Sequence, residues 1–299
     1  MAAVTECFDA RSWLFAPGDS ERKTEKAAAS PADVAILDLE DAVAEAEKPK
    51  ARGLTAAFLA AQSPDRSRFW VRINPLQGPH ALADLAAVVP SRPGGIMLPK
   101  SRGRADVECL DHYLSALEVA AGIEQGATRV IALVTETAES MFTTATYAGA
   151  PRLAALTWGA EDLADAVGAA DNHNADGSYA FTYELARSFC LLGAAAAGVA
   201  AVETIHGDFR DETGLRRRAQ QARRSGFRGM LAIHPAQVGV INEAFTPSAE
   251  ELQAAQEIVD LFAANPGAGV LAHKGAMLDR PHLARARALL GLAARGKRP

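Results

Sequence analysis

Six places in the chain put a group that can bind, ionise or donate a hydrogen bond at the end of a short apolar run. Asp38-Leu39-Glu40-Asp41 follows one run, Arg72 and Asn74 close a second, and Lys100 follows Leu98-Pro99. Glu136 lies in Thr135-Glu136-Thr137, Glu161 and Asp162 follow Trp158-Gly159-Ala160, and His234 stands before Pro235. Asp38 and Glu40 are two residues apart and so share one face of an extended strand. Carboxylates grouped without a neighbouring Cys or His suit a hard, oxygen-seeking ion, and Mg²⁺ takes one or two of them together with waters and substrate. Arg72 on an adjacent strand offers a planar fork that matches a carboxylate. The turn Gly159-Ala160-Glu161 enters a helix, whose unpaired N–H groups can hold another side of the same anion. A hard cation beside an anion clamp describes a site for a 2-oxo or 2-hydroxy acid. Taken singly, Asp162 could cap a helix and Lys100 could sit in a rim ion pair. Six such ends together are costly unless they bind a ligand or one another.

The elements that must position these groups follow from patterning. Runs rich in Val, Ile and Leu at 12–18, 33–40, 68–74, 95–100, 129–137, 153–159, 201–207 and 229–235 fit buried strands. Ala-rich stretches with helical spacing lie between them, as at 44–61, 104–124 and 181–198. Eight strands alternating with helices require crossover connections and hence a parallel sheet. Eight units in 299 residues predict a closed TIM (β/α)₈ barrel, which usually needs ~250 residues and carries its active site at the C-terminal ends of its strands. An open doubly wound sheet is the rival, but no strand is followed by GxGxxG. Beyond Pro235 the alternation stops. Residues 236–245 and 247–264 read as helical, Asn265, Pro266, Gly267 and Gly269 form a breaker cluster, and a last helix is expected over 282–294. The expected organisation is a catalytic barrel over 1–245 and a C-terminal helical extension over 246–299.

Composition narrows the function classes. The chain is 49% hydrophobic with a net charge of −5, which gives no basic footprint for nucleic acid. The densest basic run, Arg216, Arg217, Arg218, Arg223 and Arg224, comes just after Asp208, Asp211 and Glu212 and reads as a solvated helix face. Cys7, Cys109 and Cys190 are far apart, so neither a disulfide framework nor a thiolate metal site is expected, and a reducing cytoplasm is. Glu6 and Asp9 near the start do not read as part of a signal peptide. The apolar run 191–202 is too short for a bilayer and reads as a helix end entering a strand. A soluble cytoplasmic protein with no membrane partner is the expectation.

The motifs, in order, resemble those of the HpcH/HpaI aldolase and citrate lyase β-subunit family, which includes malyl-CoA lyases. The resemblance runs through Ser12-Trp13-Leu14-Phe15-Ala16-Pro17-Gly18, Leu37-Asp38-Leu39-Glu40-Asp41-Ala42-Val43, Val71-Arg72-Ile73-Asn74 and Gly95-Ile96-Met97-Leu98-Pro99-Lys100. It continues through Glu136-Thr137-Ala138, Trp158-Gly159-Ala160-Glu161-Asp162-Leu163, Ile233-His234-Pro235-Ala236-Gln237 and Gly275-Ala276-Met277-Leu278-Asp279-Arg280-Pro281. It implies a Mg²⁺-dependent (or Mn²⁺-dependent) carbon–carbon lyase acting on a malyl-, citramalyl- or citryl-type coenzyme A thioester. Glu136 and Asp162 would hold the metal, Arg72 with Gly159, Ala160 and Glu161 the 2-oxo acid, and Asp38, Glu40 and Asp41 a carboxylate network behind the metal waters. Phe15, Arg22 and Lys26 would meet the nucleotide end of coenzyme A. Asp279 would act in a neighbouring subunit's site, the extension packing there in a homotrimer or hexamer. Malyl-CoA hydrolysis, an aldolase on a free 2-oxo acid aldol, and a catalytically silent subunit binding acyl-CoA or acyl carrier protein are the alternatives. Asp41 stands where aldolase relatives commonly have His. The chain also departs from relatives at Glu203, where an Asp is frequent, at His206, and in the polar loop 168–179.

Overall fold

The computed structural model describes residues 10–62 and 67–295; Glu6, Cys7 and Asp9, used above, lie outside them. In chain order the barrel elements are β1 (Ser12–Pro17), α1 (Glu21–Ala29), β2 (Val34–Asp38), α2 (Lys48–Ala61), β3 (Phe69–Arg72), α3 (Ala81–Val88), β4 (Gly95–Leu98), α4 (Arg104–Ala120) and β5 (Arg129–Leu133). Then come β6 (Leu153–Thr157), α5 (Glu161–Ala166), α6 (Phe181–Ala197), β7 (Ala200–Glu203), α7 (Glu212–Ser225), β8 (Gly229–Ala232) and α8 (Pro235–Phe245). The eight strands form a closed barrel in sequence order. Every neighbouring pair is parallel, and β1 pairs with both β2 and β8. This is the expected TIM barrel. Register levels Asp38 with Arg72, and Arg72 with Met97.

Period-two alternation sends one face of each strand inward. Trp13, Val34, Ile36, Trp70, Met97, Ile131, Leu133, Val202 and Leu231 fill the interior, with Ala155 and Ala200 giving room on the far wall. Trp13 and Trp70 meet edge to face with ring centroids 5.1 Å apart. Gly95 is required there, because a Cβ would lie 2.4 Å from the Trp70 ring. Truncating either tryptophan to Ala would cost ~3–5 kcal/mol. The same alternation, continued past Val34 and Ile36, delivers Asp38 to the top of the barrel.

Two local details differ from the sequence reading. β2 stops at Asp38 and β5 at Leu133, so Glu40 and Glu136 stand in the loops beyond. The β5–β6 crossover carries two 3-10 turns, Glu139–Phe142 and Thr144–Tyr147, rather than an α-helix. Tyr147 anchors them by donating to Ser101 Oγ at 2.8 Å.

The chain divides into two compact units between Glu243 and Ala244. The second holds α9 (Ala249–Ala264), β9 (Val270–His273), β10 (Ala276–Asp279) and α10 (Arg280–Arg295). Ser248 and Glu251 form a reciprocal capping box at the start of α9. β9 and β10 pair antiparallel across Lys274-Gly275, both at positive φ (47° and 79°), the conformation a two-residue type I′ hairpin demands. The breaker cluster at 265–269 therefore leads into a hairpin, and the extension is helix–hairpin–helix. Among the described residues no helix is long and apolar enough to cross a membrane.

Candidate active site

The loop after β2 is built around Asp38. Its Oδ1 accepts from Glu40 N (2.9 Å) and its Oδ2 from Ala42 N (3.2 Å), which folds the loop back over the strand end. Arg72 Nε and Nη2 donate to the same carboxylate at 2.8 and 2.6 Å. The guanidinium fork is thus engaged by Asp38, and Nη1 is the edge that faces the mouth, 2.9 Å from Glu40 Oε2. That last pair has ionic distance without hydrogen-bond alignment, since Glu40 Oε2 is buried with no hydrogen-bond partner. Phe15 packs beneath, its ring centroid 4.9 Å from Arg72 Cζ. Arg22 and Lys26 stand exposed and four residues apart on α1.

Glu136, Glu40 and Asp162 are brought together across the barrel mouth, and Lys100 is set among them. Lys100 has a left-handed backbone (φ 49°). Its N–H donates to Glu136 Oε2 at 2.6 Å and its Nζ to Glu40 Oε1 at 2.8 Å, with Asp162 Oδ1 3.3 Å away. Asp41 is at the edge, 4.0 Å from Nζ. Gly159 closes against Glu136: a Cβ there would sit 3.2 Å from Glu136 Cγ. Gly159 and Ala160 then lead into α5, whose first residues are Glu161 and Asp162.

The electrostatics are those of an under-neutralised acid cluster. Burial pushes the Glu40 carboxyl up to about 7, against the opposing pull of Arg72 and Lys100. Glu136 is raised well above its ordinary value by burial and by the nearby charges of Asp162 and Glu40. Burial works against the Lys100 ammonium, but Glu40, Glu136 and Asp162 outweigh it and raise its pKa. Among the described residues no three His, Cys, Asp or Glu side chains are preassembled as an ion cage. The donor set still fits a hard divalent cation: it is all oxygen, carries excess negative charge, includes a buried Glu40 oxygen that has an ion pair but no hydrogen bond, and needs only one or two carboxylates if waters and substrate complete the shell.

Several supporting residues were not singled out from sequence. Lys48 is buried (8% exposed) and donates to Leu39 O, Glu40 O and Asn74 Oδ1 at 3.1, 3.1 and 2.6 Å. Asn74 in turn donates to Leu39 O and to Asp84 Oδ2, and Asp84 is held by Arg52. This chain of polar contacts fixes the carbonyls of the Glu40 loop from behind. Glu203, the site of one departure, is fully buried and accepts from Trp158 Nε1 and Arg187 Nε, both at 2.6 Å. It thereby anchors the residue that begins the Asp162 turn. The polar loop 168–179 is tied to the same place, because Tyr179 packs edge-on to Trp158 (5.2 Å), stacks with His173 (4.4 Å) and lies under Arg218 (4.1 Å). His206 accepts from Gln237 through its carbonyl oxygen, and burial and Arg218 lower its imidazole pKa.

Asp279 ends β10 in the second unit and starts α10. Its Oδ1 accepts from His282 N at 3.3 Å and pairs with the His282 ring. That hydrogen bond to His282 holds its carboxyl below the usual range. Asp279 is a helix cap in this chain's own fold, with His282 as its partner.

Comparison with known proteins agrees with the barrel fold. The family profile described as HpcH/HpaI aldolase/citrate lyase matches residues 11–235. A citrate lyase subunit beta-like protein of Mycobacterium tuberculosis is 38% identical over 278 residues, 93% of each chain. A (3S)-malyl-CoA thioesterase of Cereibacter sphaeroides is 34% identical over 285 residues, 95% of this chain and 94% of the other. The crystal structure of CitE from Mycobacterium tuberculosis in complex with magnesium, acetoacetate and coenzyme A superposes with a TM-score of 0.79 at 36% identity, covering 96% of this chain and 98% of that one. The barrel, the ordered strand-end motifs and these similarities together establish that the chain belongs to the HpcH/HpaI aldolase/citrate lyase family.

Proposed function

We propose that this protein is a Mg²⁺-dependent carbon–carbon lyase that cleaves, or forms, a 3-hydroxyacyl coenzyme A thioester of the malyl, citramalyl or citryl type. The observation that carries the reading is the Glu40–Glu136–Asp162 group, two buried glutamates and a partly exposed aspartate, short of positive charge and facing the Nη1 edge of Arg72. Cleavage of the C2–C3 bond, with release of the hydroxyl proton, turns the C3 hydroxyl into the oxo group of a 2-oxo acid and leaves the bonding pair on C2, conjugated with the thioester. A divalent ion held by Glu136 and Asp162 would supply Lewis-acid stabilisation of the C3 oxygen as it gains charge. Arg72, kept rigid by Asp38, would hold the acid's carboxylate through Nη1, and the N–H groups of Gly159, Ala160 and Glu161 would meet its other side. Phe15, Arg22 and Lys26 would face the nucleotide end of coenzyme A. Asp279 of a neighbouring copy would deliver the proton to C2, or remove it in the condensing direction. On this reading the functional unit is a homotrimer or hexamer.

Thioester hydrolysis is the second reading, favoured by the 34% identical malyl-CoA thioesterase. One assay separates the two. Malyl-, citramalyl- and citryl-CoA are each incubated with the protein and Mg²⁺, and 2-oxo acid and free thiol are measured. A lyase releases 2-oxo acid without thiol, a thioesterase releases thiol without 2-oxo acid, and no product with any of the three defeats both.

A further inference from the structure

We infer that Lys100 is a built-in competitor for the divalent cation, so that the empty mouth binds the ion weakly and the 2-oxo acid tightens it. The inference rests on the reading of the mouth as a metal-dependent 2-oxo acid site. Lys100 is fixed in place at both ends. Its left-handed backbone aims the N–H at Glu136 (2.6 Å), while the side chain returns to Glu40 (2.8 Å) and Asp162 (3.3 Å). One residue therefore touches both carboxylates assigned to the ion. A dication bound there and the Nζ ammonium would be neighbours of like charge in a partly dry site, where such repulsion is far less screened than in water. The ammonium can yield Asp162 and keep Glu40, with Asp41 4.0 Å away, but the mouth then carries the dication, Lys100 and Arg72 together. An anionic acid relieves that crowding. The factor by which the acid tightens the ion must equal the factor by which the ion tightens the acid. Neither the sequence motif nor the proposed ligand set requires this role, since a lysine at the rim would serve equally well as a surface charge.

The test is Mn²⁺ binding to the full chain, read by the electron paramagnetic resonance signal of free Mn²⁺, with and without pyruvate as a 2-oxo acid that cannot turn over alone. Lys100→Met should bind Mn²⁺ at least about ten-fold more tightly than wild type without pyruvate, and pyruvate should then tighten it less than it tightens wild type. Lys100→Gln, which drops the charge but keeps a donor for Glu40, should behave the same and serves if Lys100→Met does not fold. Lys100→Arg keeps the charge and should stay near wild type. If the folded neutral variants bind Mn²⁺ no better than wild type while Glu136→Gln loses binding, the competitor role is wrong and the metal site stands. If Glu136→Gln binds as well as wild type, the metal reading itself fails.

Discussion

The two ends of the barrel both bury carboxylates, and they treat them in opposite ways. At the N-terminal end Glu118 is fully buried. It accepts from Gly126 N and Thr128 N, each at 2.8 Å, and from Arg152 Nη1 at 2.7 Å. Burial alone would raise its pKa, but Arg152 and the two amides hold it below the ordinary value. Arg152 is itself completed by Asp111 and Ser115. At the C-terminal mouth, burial wins: Glu40 and Glu136 are both raised, and Glu40 Oε2 lacks a hydrogen bond. A carboxylate answered by amides and an arginine fits a scaffold role; one held under charge stress is a candidate for ligand binding. Empty volume does not make this distinction. A cavity of about 280 Å³ opens beside Arg152 and Tyr147, at the end where the charges are already satisfied.

The contrast is sharpest when one acid at each end is neutralised. Glu136→Gln should lower turnover roughly a thousand-fold, the scale of losing a principal electrostatic element of catalysis, while the melting temperature holds or rises because a stressed charge is gone. Glu118→Gln should do the reverse. Stability falls, by up to ~3–5 kcal/mol for a broken buried ion pair, and kcat of the folded protein is unchanged. Denaturant melts paired with initial rates would reveal whether the two ends separate in this way, and equal effects of both substitutions on both readouts would erase the contrast.

Arg72 is the next lever. Arg72→Lys keeps the charge but cannot engage Asp38 through two nitrogens and still present a third. A loss of about 10²-fold in kcat/KM for the 2-oxo acid is expected, the cost of misplacing a clamp, with the KM for the coenzyme A thioester little changed. Unaltered kinetics for the acid would remove Arg72 from the clamp. A smaller recovery should appear on mixing Asp279→Asn with Glu136→Gln, each nearly inactive alone. If the mouth is completed by a neighbouring copy, exchanged oligomers regain part of the activity, because some sites join an intact Glu136 to an intact Asp279. Verified exchange with no recovery would place Asp279 in its own chain's chemistry or in capping alone.

The weakest effect is on stability against pH. A carboxyl raised in the folded state binds its proton more tightly there than in the unfolded chain. Glu40 therefore costs nothing below its ordinary pKa of 4.5, and the penalty grows as pH rises to about 7. Metal-free wild type should lose melting temperature across that window relative to Glu40→Gln, and Mg²⁺ should restore part of it. Parallel curves for the two proteins would show that the mouth is not under stress.

Much of this was legible in the sequence because strand ends and period-two alternation are local signals. Asp38, Arg72, Glu136 and Asp162 could be placed at one end of a barrel from their positions after apolar runs. Their partners could not. Lys48 lies in Lys48-Pro49-Lys50, which reads as a solvated helix start, and only the fold buries it under Asn74. Asp84 sits in an Ala- and Leu-rich helix ten residues from Asn74, a contact no periodicity encodes. Lys100 looks like any rim charge until its positive φ turns it inward. That Asp38 rather than a ligand occupies two nitrogens of Arg72 is likewise a matter of register. The β9–β10 hairpin escaped because its strands are four residues long, half exposed and without a clear apolar face.

The ion pairs around Lys100 bear also on chemical self-damage. An unprotonated amine beside an activated acyl group attacks it, and a lysine acylated in the mouth would lose its charge permanently. Each unit by which a lysine's pKa rises cuts its reactive free-base fraction ten-fold, and Lys100 is raised by Glu40, Glu136 and Asp162. On the proposed reading, the acids that would hold the cation thus also disarm the nucleophile beside it. After prolonged exposure to acetyl-CoA, peptide mass spectrometry should find acetyl groups on exposed lysines such as Lys26 and not on Lys100; heavy acetylation of Lys100 would mean that its neighbours do not keep it protonated.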